Sequence, residues 1–326
     1  MASMDKAEHD AAQAGGWAKR PFLRSKKALI GIAVLVVALV VALAVGLGVG
    51  LTRHHGSDDS DNNDNNPPPA PGPGANRTGL WQPEVGTPWQ IILNKAIKLS
   101  GDDGAVTPDT KVYDLDMFDN DADSFLKLHK AGISVICYFS AGSWEDWRAD
   151  QAKFDKADLG KDLHGWAGEK WLNTSSPSVR DIMKERIKLA ASKGCAAIDP
   201  DNMDGYQNDN GLGLTADDAA DFVKFLAHEA ASYNMSTGLK NAAGIIKDVL
   251  DVVQFSVNEQ CIELAECETF APFIKANKPV FNIEYPKGAP DGLSTQAADD
   301  ICSHQGKAKG SDGFSTVIKK MNLDGW

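Results

Sequence analysis

The sequence predicts a (β/α)8 barrel, and three observations predict it. Eight short apolar or β-branched runs recur between positions 89 and 319, with helix-period segments between most of them, the alternation that builds a parallel sheet. Several of these runs are apolar on both faces, as strands buried beneath helices must be. The stretch 80–326 spans about 247 residues, the length of one such barrel, and carries no internal repeat or second linker. A doubly wound open sheet is the alternative fold, but neither GxGxxG nor a Walker A pattern supports it.

The strands are expected at WQIIL (89–93), KVYDLD (111–116), ISVICYFS (133–140), CAAID (195–199), STGLK (236–240), VVQFSV (252–257), PVFNIEY (279–285) and FSTVIK (314–319). Helices are expected over 121–130, 178–192, 215–232, 242–250, 262–276 and 295–304. Thr215 followed by Asp217 and Asp218 is a good N-terminal cap, because a hydroxyl and acids satisfy the free amides and the dipole of a first turn.

In a barrel of this kind the polar residues at the C-terminal ends of the strands converge on one mouth, where the chemistry is done. Here those ends supply Asp114 and Asp116, Tyr138, Trp144 just beyond strand three, Asp199 and Asp201 with Asp204 beyond them, Lys240 and Asn241, Glu259, and Glu284 and Tyr285. Such a mouth is acidic and aromatic. Rings pack on the apolar faces of sugars and acids bind hydroxyl or ammonium groups, so the constellation points to carbohydrate. Two carboxylates delivered by separate strand ends are what glycosidic cleavage requires.

Other chemistries are poorly supplied. None of the seven histidines lies in an HxH or HExxH pattern or at an expected strand end, and no GxSxG elbow occurs. Asp199, Asp201 and Asp204 ahead of Gly205 resemble a calcium loop only superficially, since Met203 takes a ligand position and no Glu closes the loop; neither metal nor cofactor is expected. With 33 basic against 45 acidic residues the formal charge is −12, which argues against nucleic acid and suits a cationic or neutral ligand. The five cysteines show no CxxC spacing; Cys261 and Cys267, bracketing a short segment beyond Glu259, are expected to pair outside the cytosol.

Ahead of the barrel, 28–51 is an unbroken run of 24 apolar or glycine residues, about 36 Å as a helix and long enough to cross a hydrocarbon core of about 30 Å. Lys19, Arg20, Arg24, Lys26 and Lys27 precede it, so 1–27 is expected in the cytoplasm and everything after the anchor outside or in a secretory lumen, as in a single-pass type II protein. Residues 52–79, rich in Asp, Asn and Pro, read as a disordered tether, and 80–326 as the barrel domain. That orientation would expose sequons at Asn76, Asn173 and Asn234 to glycosylation.

The barrel segment resembles glycoside hydrolase family 114. The likeness rests on YDLDMFD (113–119), CYFSAGSWEDWR (137–148), GWAGEKWLN (165–173), IDPDNMDGY (198–206), GLKN (238–241), NEQC (258–261) and EYP (284–286), with the WQ opening at 89–90. An anchored form with an Asp/Asn/Pro tether resembles fungal members in particular. The resemblance implies an endo-α-1,4-polygalactosaminidase that cuts galactosamine-containing exopolysaccharide, a cationic polymer, with Asp201 and Glu259 as the catalytic pair. By analogy with α-galactosidase-like barrels, Asp201 is assigned as nucleophile and Glu259 as general acid/base in a retaining displacement, with Lys240 holding Asp201 ionised. Asp114, Asp116, Asp199, Asp204 and Glu284 are the expected sugar contacts, Tyr138 and Trp144 the stacking surfaces, with Lys240, Asn241 and Tyr285 also lining the site. Two other readings stay open: an α-galactosidase-like hydrolase of neutral oligosaccharides, and a tethered polysaccharide-binding protein without turnover.

Overall fold

The computed structural model describes residues 79–100 and 105–326. The tail, the anchor, Asn76 and all of the tether but Gly79 lie outside the described residues. Among the described residues no helix is long and apolar enough to cross a membrane.

Eight parallel strands form one sheet: β1 (Trp89–Ile92), β2 (Val112–Asp116), β3 (Ser134–Ser140), β7 (Ala197–Asp201), β8 (Ser236–Lys240), β9 (Phe255–Glu259), β10 (Val280–Glu284) and β11 (Ser315–Ile318), each beside its neighbour in that order. The two edges approach one another, where the Trp89 indole donates to the Ser315 carbonyl at 2.7 Å. The result is a nearly closed (β/α)8 barrel.

All eight expected strands are present, two of them displaced toward the C-terminus for one reason. Cys195 closes the end of α2 (Pro177–Lys193) by donating its amide to the Ala190 carbonyl, after Gly194 turns the chain at φ 86. Val253 likewise caps α4 (Ile246–Val249) through the Val249 carbonyl. The apolar residues at the fronts of these runs therefore serve the preceding helices. Asp201 and Glu259 become the last residues of strands rather than loop residues beyond them.

Alternation along the strands sorts the core into two layers. Ile91, Val112, Ile136, Ala197, Phe255, Val257, Phe281 and Ile283 pack together inside the barrel. Tyr113, Leu115, Val135, Cys137, Phe139, Ile198, Leu239 and Val280 pack against the helices outside.

The helices are α1 (Ala122–Lys130), α2, α3 (Ala216–Ser232), α4, α5 (Ala271–Lys275) and α6 (Thr295–Cys302). Thr215 and Asp218 form a reciprocal capping box on α3. Two expected helices are much shorter than their apolar patterns. Ala242 sits in the left-handed region at φ 49, which delays α4. The helix expected over 262–276 survives only as α5, because Gln260 and Ala265 take positive φ and the Cys261–Cys267 disulfide folds the preceding residues into a tight loop. A second disulfide, Cys137–Cys195, staples β3 to the start of the chain's return through β7, and Cys302 is free and exposed.

The sequence reading did not anticipate a small antiparallel sheet between β3 and α2, built of β4 (Ser143–Glu145), β5 (Leu159–Asp162) and β6 (Glu169–Leu172) in the order β4-β6-β5. Its strands are three or four residues long and rich in charge. No alternation can register over so short a run.

Candidate active site

Inward parity, continued from the apolar layer to the C-terminal strand ends, selects Tyr138, Asp199, Asp201, Lys240, Glu259 and Tyr285. Register confirms their level: Tyr138 stands opposite Asp199, Ser140 opposite Asp201, Lys240 opposite Val257, and Ile283 opposite Glu259. The barrel is thus capped by a polar layer directly above an apolar one.

Lys240 is the centre of that layer. Its ammonium lies 3.2 Å from Asp201 Oδ1 and 3.6 Å from Glu259 Oε2, which caps the separation of those two oxygens at the sum, 6.8 Å. Lys240 is only 2% exposed, whereas the Asp201 and Glu259 side chains are 18% and 25% exposed, so the ammonium lies beneath the two carboxylates. Each carboxylate also has its own tyrosine. Tyr138 Oη donates to Asp201 Oδ2 at 2.8 Å, and Tyr285 Oη donates to Glu259 Oε1. The Asn202 amide reaches Asp201 Oδ1 at 2.8 Å; the Asn241 side chain holds Glu259 twice, donating to Oε2 at 3.2 Å and accepting the Glu259 amide at 2.9 Å.

Burial opposes the charge on Lys240, but Asp201, Glu259, Asp199 and Asp114 together outweigh it and raise its pKa well above the usual value. Burial is also the main cause that raises both tyrosines, reinforced by the carboxylate each one serves, so both remain hydroxyl donors. Below them Asp114 and Asp199 are fully buried, and no N–H or O–H of another residue reaches their oxygens. Burial first, then the charge of Asp199, raises Asp114 well above the carboxylate range, and burial raises Asp199 to about 7, so the charged form is disfavoured in both.

Several expected site residues hold other positions. Asp114 and Asp199 present no oxygen to solvent and form the floor rather than sugar contacts. Asp116 is spent on a bidentate pair with Arg148, at 3.2 and 2.6 Å, and on the amides of Phe118 and Asp119. Glu284 has outward parity; it accepts the Ile262 and Glu263 amides and so braces the loop after Glu259. Trp144 is half-buried, packing on the outer apolar layer with its indole N–H on the Gln151 carbonyl. Tyr138 engages the layer through both its hydroxyl and its ring, over which the Lys240 ammonium lies 5.4 Å from the centroid. Asp204 is half-buried, and burial followed by the charge of Asp201 raises it, which places it at the rim of the same field. Of the described sequons, Asn234 is exposed, whereas Asn173 is half-buried with its amide toward Asp158 at 3.5 Å.

Sequence reasoning missed the support between the barrel and the small sheet. Ser143 on β4 donates to Glu169 on β6 at 2.7 Å and shares a 2.5 Å contact with Ser140, and Asn202 donates to both serines at 2.8 and 3.1 Å. Arg186 donates to the Ser140 carbonyl at 2.6 Å and pairs with Asp150 at 2.8 Å, while Arg148 pairs with Glu145 at 2.8 Å. The only signal in the sequence was the density of charge in 140–150. Glu169 stands directly opposite Glu145 in the ladder, and burial, helped by the charges of Glu145 and Asp201, pushes its pKa up to about 7. A raised carboxyl binds its proton more tightly in the native state, so its stabilisation is complete below the unfolded value and is lost as pH rises through about 7. Glu169→Gln should therefore remove about 3 kcal/mol of the stability lost between pH 4.5 and 7. Urea denaturation of both proteins at those two pH values measures it, and equal losses would refute the assignment.

Among the described residues no group of three or more His, Cys, Asp or Glu side chains is arranged to hold a metal ion. The family model of glycoside-hydrolase family GH114 matches residues 71–326. Ega3 of Aspergillus fumigatus, in its crystal structure in complex with galactosamine, is 50% identical over 78% of this chain and 98% of that one, with a TM-score of 0.71. The glycoside hydrolase domain of PelA from Pseudomonas aeruginosa shares the fold at 13% identity, with a TM-score of 0.55 over 72% of this chain and 96% of that one. No curated protein sequence matches the chain.

Proposed function

The chain belongs to glycoside-hydrolase family GH114, and from that premise we propose that it cleaves α-1,4-linked galactosamine in galactosaminogalactan with Asp201 and Glu259 as the catalytic pair. The observation that carries this reading is the shared ammonium of Lys240, which brings the two carboxylates within one sugar-sized gap. Retaining glycosidases place their carboxyls about 5–5.5 Å apart and inverting ones about 6.5–9.5 Å, and the bound of 6.8 Å on the two oxygens that share Lys240 accommodates the retaining spacing. An oxygen of Asp201 attacks the anomeric carbon as the glycosidic bond breaks, and Glu259 gives its proton to the departing oxygen. Water then adds to the same carbon, Glu259 takes the water's proton, and Asp201 leaves. Asp201 is assigned the attack because the nearer Lys240 contact, an amide and the Tyr138 hydroxyl all converge on it.

The substrate class is supported by the 50% identical Ega3, solved with galactosamine, and by a formal charge of −12 that would draw a polycationic chain to the mouth. The enzyme is further proposed to be a type II membrane protein anchored by 28–51, with the barrel outside the cytoplasm and glycans on Asn76, Asn173 or Asn234; the long apolar run and its basic flank support this.

The test is incubation of the full chain in detergent with partially deacetylated galactosaminogalactan at rising salt. Released amino-sugar oligosaccharides, formed more slowly as salt screens the attraction, are the expected result. Cleavage of neutral galactosides alone, or binding without any product, would replace this reading by an α-galactosidase-like enzyme or a binding protein respectively.

A further inference from the structure

We propose that Trp147 and Trp166 form a sugar-stacking platform on the small sheet, which holds a length of the polymer beyond the two catalytic carboxylates. The proposal rests on the substrate class proposed above. Trp147 and Trp166 are 53% and 47% exposed, although large aromatic side chains ordinarily contribute most by burial. They stand in the turns that flank neighbouring strands, Trp147 after β4 and Trp166 before β6. The β4–β6 ladder pairs Glu145 with Glu169, and the Asp146 amide continues it by donating to the Gly168 carbonyl at 3.0 Å. Trp147 follows on one side and Trp166 stands two residues before Gly168 on the other.

The backbone is shaped around the first ring. Gly168 takes φ +97, and a Cβ there would lie 3.1 Å from Trp147 Cζ3 and 2.9 Å from Asp146 Oδ1. The missing side chain therefore lets an indole and a carboxylate rest together against the β6 backbone. The turn before β6 is fixed as well, with the Trp166 amide on the Leu163 carbonyl at 3.1 Å and the Glu169 amide on the Trp166 carbonyl at 3.2 Å. A ring packed against the backbone, as that of Trp147 is, loses little freedom on binding.

Two features select a basic sugar chain as the occupant. An indole face attracts both the apolar face of a pyranose and a nearby ammonium, and exposed Asp146 beside Trp147 supplies the counter-charge. The small sheet that carries them is tied to the mouth: Ser143 of β4 accepts from Asn202 at 3.1 Å, and the Asn202 amide binds Asp201.

The test compares full-length wild type with Trp147→Ala, Trp166→Ala and the ring-preserving Trp147→Phe, on deacetylated polymer of graded length. The expected result is a KM for long chains raised about tenfold in each alanine variant, with kcat little changed, melting temperatures near wild type, and recovery in Trp147→Phe. Unchanged KM in folded alanine variants, or equal loss in Trp147→Phe, overturns the platform. If wild type instead turns over only a neutral galactan, the substrate reading fails, and the same KM comparison on that galactan decides the platform separately.

Discussion

Asp201→Asn is expected to lower kcat/KM on galactosaminogalactan by on the order of 10⁴-fold or more while leaving polymer affinity within a few fold of wild type. The substitution is isosteric. The amide oxygen can still accept at one of the two positions Asp201 uses, from Tyr138 or from the Asn202 backbone, so the shape of the polar cap is kept with one acceptor lost. What disappears is the only atom assigned to form a bond with the anomeric carbon. Calorimetric titration with polymer, alongside product release, separates the two effects. A variant with activity within tenfold of wild type would transfer the role to another carboxylate. In wild type, NMR of the freshly released product should show the α configuration of the substrate; an initial β product would mean direct attack by water and would remove the covalent step.

That Asp199, Asp201 and Glu259 share one mouth was legible because apolar runs lead into them and strand ends in a barrel converge, whereas the choice of Asp201 and Glu259 among the acids came from the family resemblance. Alternation then says which end residues face inward, but it is blunt where both faces are buried. In β10 the inward residues are Phe281 and Ile283 and the outward ones Asn282 and Glu284, yet all are buried, so polarity alone drew Glu284 into the mouth when it points to the outer layer. Asp116 was misplaced for a different reason. Its partner Arg148 lies 32 residues away on a loop whose path depends on the small sheet, and that sheet left no periodic trace. The Cys261–Cys267 bond could be expected from adjacency, whereas Cys137–Cys195 joins positions 58 residues apart and becomes visible only when β3 and β7 are known neighbours.

The second large effect is expected at Lys240. Four carboxyl groups, Asp201, Glu259, Asp199 and Asp114, share its ammonium at the top of a dry apolar layer. Removing one partner of a buried ionic cluster leaves the others uncompensated, which costs about 3–5 kcal/mol. Lys240→Met keeps the length of the side chain and loses the charge, so it should show that cost at pH 8 and a fall in kcat on the order of 10²–10³. The pH dependence follows from which groups titrate. The native pKa of Lys240 is raised, so its stabilisation is complete below the unfolded value of about 10.4 and constant across pH 5–8. Any change over that range must come from the carboxyls. Without the ammonium Asp114 and Asp199, already raised by burial, lose the charge that lowers them, so the variant takes up protons as pH falls and recovers part of its lost stability by pH 5. Urea denaturation at pH 8 and pH 5 should therefore give a difference from wild type that shrinks with acidity. Lys240→Arg, which keeps the charge in a bulkier head, should retain most of the stability and lose activity through displacement of the two carboxylates. A pH-independent difference in Lys240→Met would mean that the four acids do not depend on one cation, and the gap between Asp201 and Glu259 would then need another cause.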